Sequence, residues 1–165
     1  MNQFINHAHL SKMINLAGAP PWKYFAYGMN MNPDGMRFRC PSTKLLGKAT
    51  VGGWARVARG VFDLKPSAGA RTEGALWELD VTDLAALDQL EGFPHYYTRR
   101  LVPVEFNGET IIAMTYTMTE ENSRHESPLV GGYATTCLNA CEDLGIALDE
   151  PLKEAARRFG IPVNA

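Results

Sequence analysis

The chain has 165 residues, a formal net charge of -2 and an isoelectric point of about 6.1, with 45% hydrophobic and 21% charged residues. A chain of that length buries an ordinary core without metal or disulfide support, and its composition excludes a disordered polymer. The lack of a basic balance argues against a nucleic-acid partner, leaving room only for one small basic patch.

No apolar run approaches the roughly 18 residues of a membrane span. The first ten residues, Met1 to Leu10, lack a basic segment followed by a continuous apolar one, so they do not read as a signal peptide. A cytoplasmic protein with no membrane partner is therefore expected. Cys40, Cys137 and Cys141 contain no CxxC pair and read as reduced, partly buried thiols. His7, His9, His95 and His125 do not complete a zinc-ligand set with them, so no metal is expected.

In chain order, Phe4, Ile5, Leu10, Met13, Ile14 and Leu16 recur at loosely helical spacing, closed by Gly18 and Pro20-Pro21. This predicts an N-terminal helical arm over residues 1–20, followed by a single domain over residues 21–165. The apolar run at residues 24–27 predicts a buried strand. It stops at Gly28-Met29-Asn30-Met31-Asn32, a tight turn whose unpaired N–H groups can hold an anion or a polarised carbonyl. Asn32 and Pro33 then suit the N-cap and first position of a short helix that Cys40-Pro41 ends.

Residues 44–49 and 51–57 predict two strands around a corner at Gly52-Gly53. Residues 60–64 predict a further short strand, residues 65–72 (KPSAGART) a loop, and residues 73–79 a half-buried strand. Residues 81–90 form the clearest helix, with Thr82 as N-cap and Leu84, Leu87 and Leu90 as its buried stripe. Strands over residues 101–106 and 110–117 meet at Asn107-Gly108, a hairpin signal. A polar loop over 120–127 precedes helices over 132–144 and 150–159, ended by Gly145 and Gly160. Many strands, few helices and glycine-marked corners predict an α+β domain: a small mixed, curled or closed β-sheet, barrel or roll, flanked by a few helices.

Glu91 is the candidate reactive group. It ends the clearest helix, with Gly92 as the terminating residue, and the helix dipole disfavours a carboxylate there. Desolvation would raise its proton affinity toward the range of a general base. On position alone, a solvated helix-end acid is the commoner reading. Tyr96-Tyr97 follow closely and suit a pocket wall, at least one of them facing the core. Arg99 and Arg100 read as solvated strand-edge charges, with carboxylate binding as the alternative.

The stretch YFAYGMNMN over residues 24–32 resembles the YGSN-type turn that opens the γ-glutamylcyclotransferase family, including its small AIG2-like members. Other features fall in the family's order: Arg39-Cys40-Pro41, Gly47-Lys48-Ala49, Gly53-Trp54, Glu73-Gly74-Ala75-Leu76-Trp77, then Leu87-Asp88-Gln89-Leu90-Glu91-Gly92-Phe93-Pro94, with Tyr97 and Arg99 after. The resemblance spans roughly residues 24–148.

It implies a γ-glutamylcyclotransferase-like fold and the cyclising cleavage of a γ-glutamyl amide to 5-oxoproline and a free amine or amino acid. That is carbon–nitrogen lyase or acyltransferase chemistry of the kind met in glutathione metabolism. Glu91 would then be the acid–base. The backbone of Gly28, Met29, Asn30 and Met31 would bind substrate, Tyr27 and Asn30 would shape the wall, and Tyr97 would close the pocket. The resemblance implies no metal and no organic cofactor, a small γ-glutamyl molecule as partner, and either a monomer or a homodimer. Met29 stands where the family usually has serine. Tyr133 matches a later pocket tyrosine with a one-residue shift. Two alternatives stay open: a non-catalytic small-molecule binding module of the same fold, and an enzyme for other γ-glutamyl amines such as a cross-linked lysine.

Overall fold

Phe25, Leu76, Trp77 and Leu79 are each at most 1% exposed and lie on two paired strands, which fixes where the core forms. The computed structural model describes residues 19–163. The helix expected for the N-terminal arm lies outside the described residues.

Five strands form the sheet: β1 (Trp22–Ala26), β2 (Lys44–Arg59), β3 (Val61–Leu79), β4 (Tyr97–Phe106) and β5 (Glu109–Met118). They close into a barrel in the order β1-β3-β2-β4-β5. Neighbours are antiparallel except at the closing seam, where β1 meets β5 in parallel with Tyr24 opposite Met114. Thr115 Oγ1 fastens that seam by donating to the Phe25 carbonyl at 2.8 Å. This is the mixed, closed sheet that the strand pattern predicts.

Two expectations inside it are corrected. Residues 44–57 are not two strands around a corner but one strand, β2, whose register slips between Leu45/Gly47 and between Gly52/Trp54. Residues 65–72 are not a loop either, because β3 runs unbroken through them. Lys65 pairs with Ala55, Pro66 with Trp54 and Arg71 with Gly52, so only residues 67–70 swell out of the ladder. Pro66 borders this bulge, where its missing N–H removes little from the ladder. On either side of the bulge the backbone stays paired, with Arg71 facing solvent and Thr72 buried. Hydrogen bonding overrides composition.

Among the described residues four α-helices flank the barrel: α1 (Pro33–Arg39), α2 (Val81–Glu91), α3 (Gly131–Leu144) and α4 (Glu150–Phe159). α1 starts as predicted, with the Asn32 side chain accepting from the Gly35 N–H at 2.9 Å. α2 is capped by Asp80 rather than Thr82. Asp80 accepts from the Asp83 N–H at 2.8 Å, and Asp83 accepts from the Asp80 N–H at 3.0 Å. This reciprocal pair satisfies two of the helix's orphan donors, which a threonine alone at that end could not. Leu84 and Leu87 are buried, but Leu90 is 44% exposed, so the buried stripe ends one turn before the helix does.

Gly92 closes α2 with a φ of 63°, a left-handed conformation that glycine adopts without penalty. Asn107-Gly108 forms the hairpin turn between β4 and β5 as predicted. The three cysteines are free and buried. Among the described residues no helix is long and apolar enough to cross a membrane, and no group of three or more His, Cys, Asp or Glu side chains is placed to hold a metal ion.

Candidate active site

β1 ends at Ala26, and Tyr27-Gly28 lead into a single 3-10 turn over Met29–Met31. Inside it the Met31 N–H donates to the Gly28 carbonyl at 3.0 Å, and the Asn32 N–H to the Met29 carbonyl at 3.1 Å. The Met31 donor is therefore spent, and the Met29 N–H is directed at the Tyr133 hydroxyl, which leaves Gly28 and Asn30 to present theirs. Met31 is corrected as a substrate contact in its side chain too. It is fully buried, with its sulfur 3.9 Å from an Arg56 guanidinium nitrogen. That guanidinium clamps the base of the turn: it donates to the Tyr27 carbonyl at 2.9 Å and the Glu73 carbonyl at 2.7 Å, and pairs with Asp149.

The turn forms one wall of a cleft of about 460 Å³. Glu91, Tyr97 and Tyr133 line it together with Tyr27, Gly28, Met29 and Asn30, although these residues come from the β1 end, α2, β4 and α3. Asn30 joins the two halves. Its Nδ2 donates to Glu91 Oε1 at 3.1 Å and to the Tyr24 hydroxyl at 3.1 Å, while its Oδ1 accepts from Arg39 at 2.7 Å. Burial pushes the Glu91 carboxyl up to about 7, against the Arg39 charge and the Asn30 hydrogen bond, which both pull it down. A carboxyl poised there accepts and returns a proton near neutrality. Desolvation is the cause that raises its proton affinity.

The end of α2 is held in place one turn before Glu91. Asp88 accepts from Arg99 Nε at 2.9 Å, from a second Arg99 nitrogen, and from the Tyr116 hydroxyl at 2.6 Å. The Arg99 guanidinium also lies 4.5 Å from the centre of the Phe93 ring. Arg99 is thus corrected from a solvated strand-edge charge to a buried anchor. Arg100 points the other way, bonded to Thr117 at 2.8 Å and lying over the Trp54 ring. Tyr97, the first residue of β4, is buried, and Tyr96, in the bend just before it, is 43% exposed.

The tyrosine hydroxyls are fixed by backbone groups. The Phe62 N–H donates to the Tyr133 hydroxyl oxygen at 3.0 Å, and the Phe62 carbonyl accepts from the Tyr97 hydroxyl at 3.0 Å. Tyr27 donates to the Tyr116 carbonyl at 2.5 Å. Burial raises the proton affinity of Tyr27, Tyr97 and Tyr133, so these walls stay neutral. A Cβ on Gly28 would come 2.3 Å from the Tyr133 hydroxyl oxygen, so a side chain there would push the tyrosine back.

Sequence reasoning missed Tyr24, Tyr116, the Phe62 backbone, the Asp88–Arg99 pair and the bond between Asn30 and Glu91. Two signals were present. Asp88 and Glu91 lie three apart on one helix face, and Tyr97 and Arg99 lie two apart on one strand face.

The family model described as gamma-glutamyl cyclotransferase, AIG2-like, matches residues 24–134. Among solved structures, one named "Gamma-glutamyl cyclotransferase" is similar at 22% identity and a TM-score of 0.68, over 87% of this chain and 89% of that one. YkqA from Bacillus subtilis is similar at 22% identity and a TM-score of 0.70, over 94% of this chain and 58% of that one. An AIG2-like protein from Mus musculus is similar at 17% identity and a TM-score of 0.53, over 78% of this chain and 97% of that one. At these identities the likeness concerns the fold. The comparison with curated proteins found no match.

Proposed function

This chain belongs to the gamma-glutamyl cyclotransferase, AIG2-like family, and on that premise we propose that it cleaves a γ-glutamyl amide by cyclisation. The α-amino nitrogen of the γ-glutamyl unit attacks its own γ-carbonyl carbon. The bond from that carbon to the amide nitrogen breaks, and the products are 5-oxoproline and a free amine or amino acid. Because attack is intramolecular, the substrate itself carries much of the proximity advantage, which reaches about 7–11 kcal/mol in well-oriented cases, and what is left to the protein is to fold the substrate and move protons.

Glu91 takes a proton from the α-ammonium group, which frees its lone pair, and returns a proton to the departing nitrogen. Its pKa of about 7 suits both halves of that exchange. The N–H groups of Gly28 and Asn30 receive the substrate carboxylate or the oxyanion that develops on the γ-carbonyl, and Met29 lines the same wall. Tyr97 and Tyr133 supply neutral walls that keep water from the reacting atoms.

The observation that carries this reading is the hydrogen bond from Asn30 to Glu91, which puts donor turn and carboxylate in one cleft. The test is release of 5-oxoproline from a panel of γ-glutamyl amides by the wild-type protein and by Glu91→Gln, with circular dichroism confirming that both are folded. Binding of these ligands without turnover by the wild type would identify a binding module instead.

A further inference from the structure

Arg39, at the last turn of α1, keeps a guanidinium where it is poorly satisfied. Its Nη2 donates to Asn30 Oδ1 at 2.7 Å, while its Nε is buried with no hydrogen-bond partner among the described residues. An unmet donor of that kind costs stability, and a surface arginine would avoid the cost. The bond it does make decides how the Asn30 amide faces. A guanidinium only donates, so it captures the amide oxygen and leaves the amide NH2 pointing the opposite way. In that direction stand Glu91 Oε1 and the Tyr24 hydroxyl, each at 3.1 Å. The reversed amide would set NH2 against guanidinium N–H.

We propose that Arg39 is a positioning residue for the reaction, which acts through Asn30 to keep a hydrogen-bond donor on Glu91 and so aims its carboxylate into the cleft. This rests on the reading of Glu91 as the acid–base. Released from Arg39, the Asn30 amide is free to turn its oxygen toward Glu91. It then favours the protonated acid, which makes a poorer base.

The other titratable groups around Glu91 are Tyr24 and Tyr27 from β1 and its end, Tyr97 from β4 and Tyr133 from α3. Burial raises the proton affinity of all four, so they carry no charge near neutrality. Arg39 is the charge that opposes the burial of Glu91, and it acts in the same direction as the Asn30 hydrogen bond.

The experiment is a carbon-13 NMR titration of the Glu91 carboxyl in the free protein, run beside the pH profile of kcat/KM for 5-oxoproline release. Arg39→Gln should raise the Glu91 midpoint by roughly one pH unit. The rising limb of the profile should move with it, and activity should recover toward wild type at higher pH. Arg39→Lys, which keeps the charge and one donor, should restore most of the wild-type midpoint. An arginine that merely supports the fold would lower activity at every pH and leave the midpoint unmoved, which overturns the proposal. Asn30→Ala separates the relay from a direct charge effect, with Arg39→Met in place of Arg39→Gln should the latter not fold: no further rise of the midpoint when Arg39 is replaced in the Asn30→Ala background supports the relay, and a further rise refutes it. The titration needs no turnover, so an inactive wild type would sink the acid–base reading while the role of Arg39 is still decided by the midpoint.

Discussion

Replacing Gly28 with alanine tests how the donor turn meets the rest of the cleft. The added methyl carbon would stand 2.3 Å from the Tyr133 hydroxyl oxygen, about 1 Å short of ordinary contact. The tyrosine is the side that can yield, because the turn is clamped from below by Arg56. A retreat of about 1 Å takes its oxygen out of reach of the Phe62 N–H, now 3.0 Å away. An orphaned buried N–H costs about 1–3 kcal/mol. A central loss of about 2 kcal/mol corresponds to a melting temperature lower by about 4–8 °C for a chain of this size.

Tyr133→Phe removes the same hydrogen bond by deleting the oxygen, and it removes the clash as well. The nearest ring carbon, Cζ, lies 3.5 Å from the position of the added methyl, which is ordinary contact. Denaturant unfolding of the wild type, both single variants and the double variant should therefore give a coupling of about 1.5–2 kcal/mol, with Gly28→Ala much milder in the Tyr133→Phe background. Additive losses would mean that Gly28 and Tyr133 do not meet, and the geometry of the cleft would be wrong.

Glu91 also predicts a pH dependence of stability. Its carboxyl rises from an ordinary 4.5 to about 7 on folding, so its contribution is fully present below about 4.5 and is lost as pH climbs through about 7. The loss is on the order of 3 kcal/mol. Glu91→Gln cannot ionise, so it should gain stability relative to wild type between about pH 5 and 8, and parallel stability curves would contradict the burial of Glu91. Arg99→Met leaves Asp88 partly buried without its cation, which should cost about 3–5 kcal/mol in denaturant unfolding. It should also cut 5-oxoproline release by loosening the last turn of α2. A loss below about 1 kcal/mol would show that Arg99 does not anchor that turn.

Features governed by neighbours in sequence were legible without coordinates. Pro33 and Asn32 start α1, Asn107-Gly108 turns the hairpin, and Gly92 stops α2 just after Glu91. Each of these is a local backbone requirement. The strand through Lys65 and Pro66 was not legible, because a polar segment becomes a strand only when a partner such as β2 satisfies its backbone. Arg99 and Arg100 look alike in the sequence, yet strand alternation sends one to Asp88 and the other to the surface. Met31 looked like a continuation of the donor turn, but one 3-10 turn rotates it into the core and uses its N–H. Asn30 was recognised as wall rather than as the link to Glu91, since residues 61 apart meet only when the barrel closes.

The most direct measurement follows both products, 5-oxoproline and the released amine, from γ-glutamyl amides with wild-type protein and folded Glu91→Gln. The wild type should form the two in equal amounts, and the variant should lose about 10²–10⁴-fold in rate. A folded Glu91→Gln protein with full activity, or a wild type inactive across a broad γ-glutamyl panel, would contradict the assignment of Glu91 as the acid–base of a cyclising cleavage.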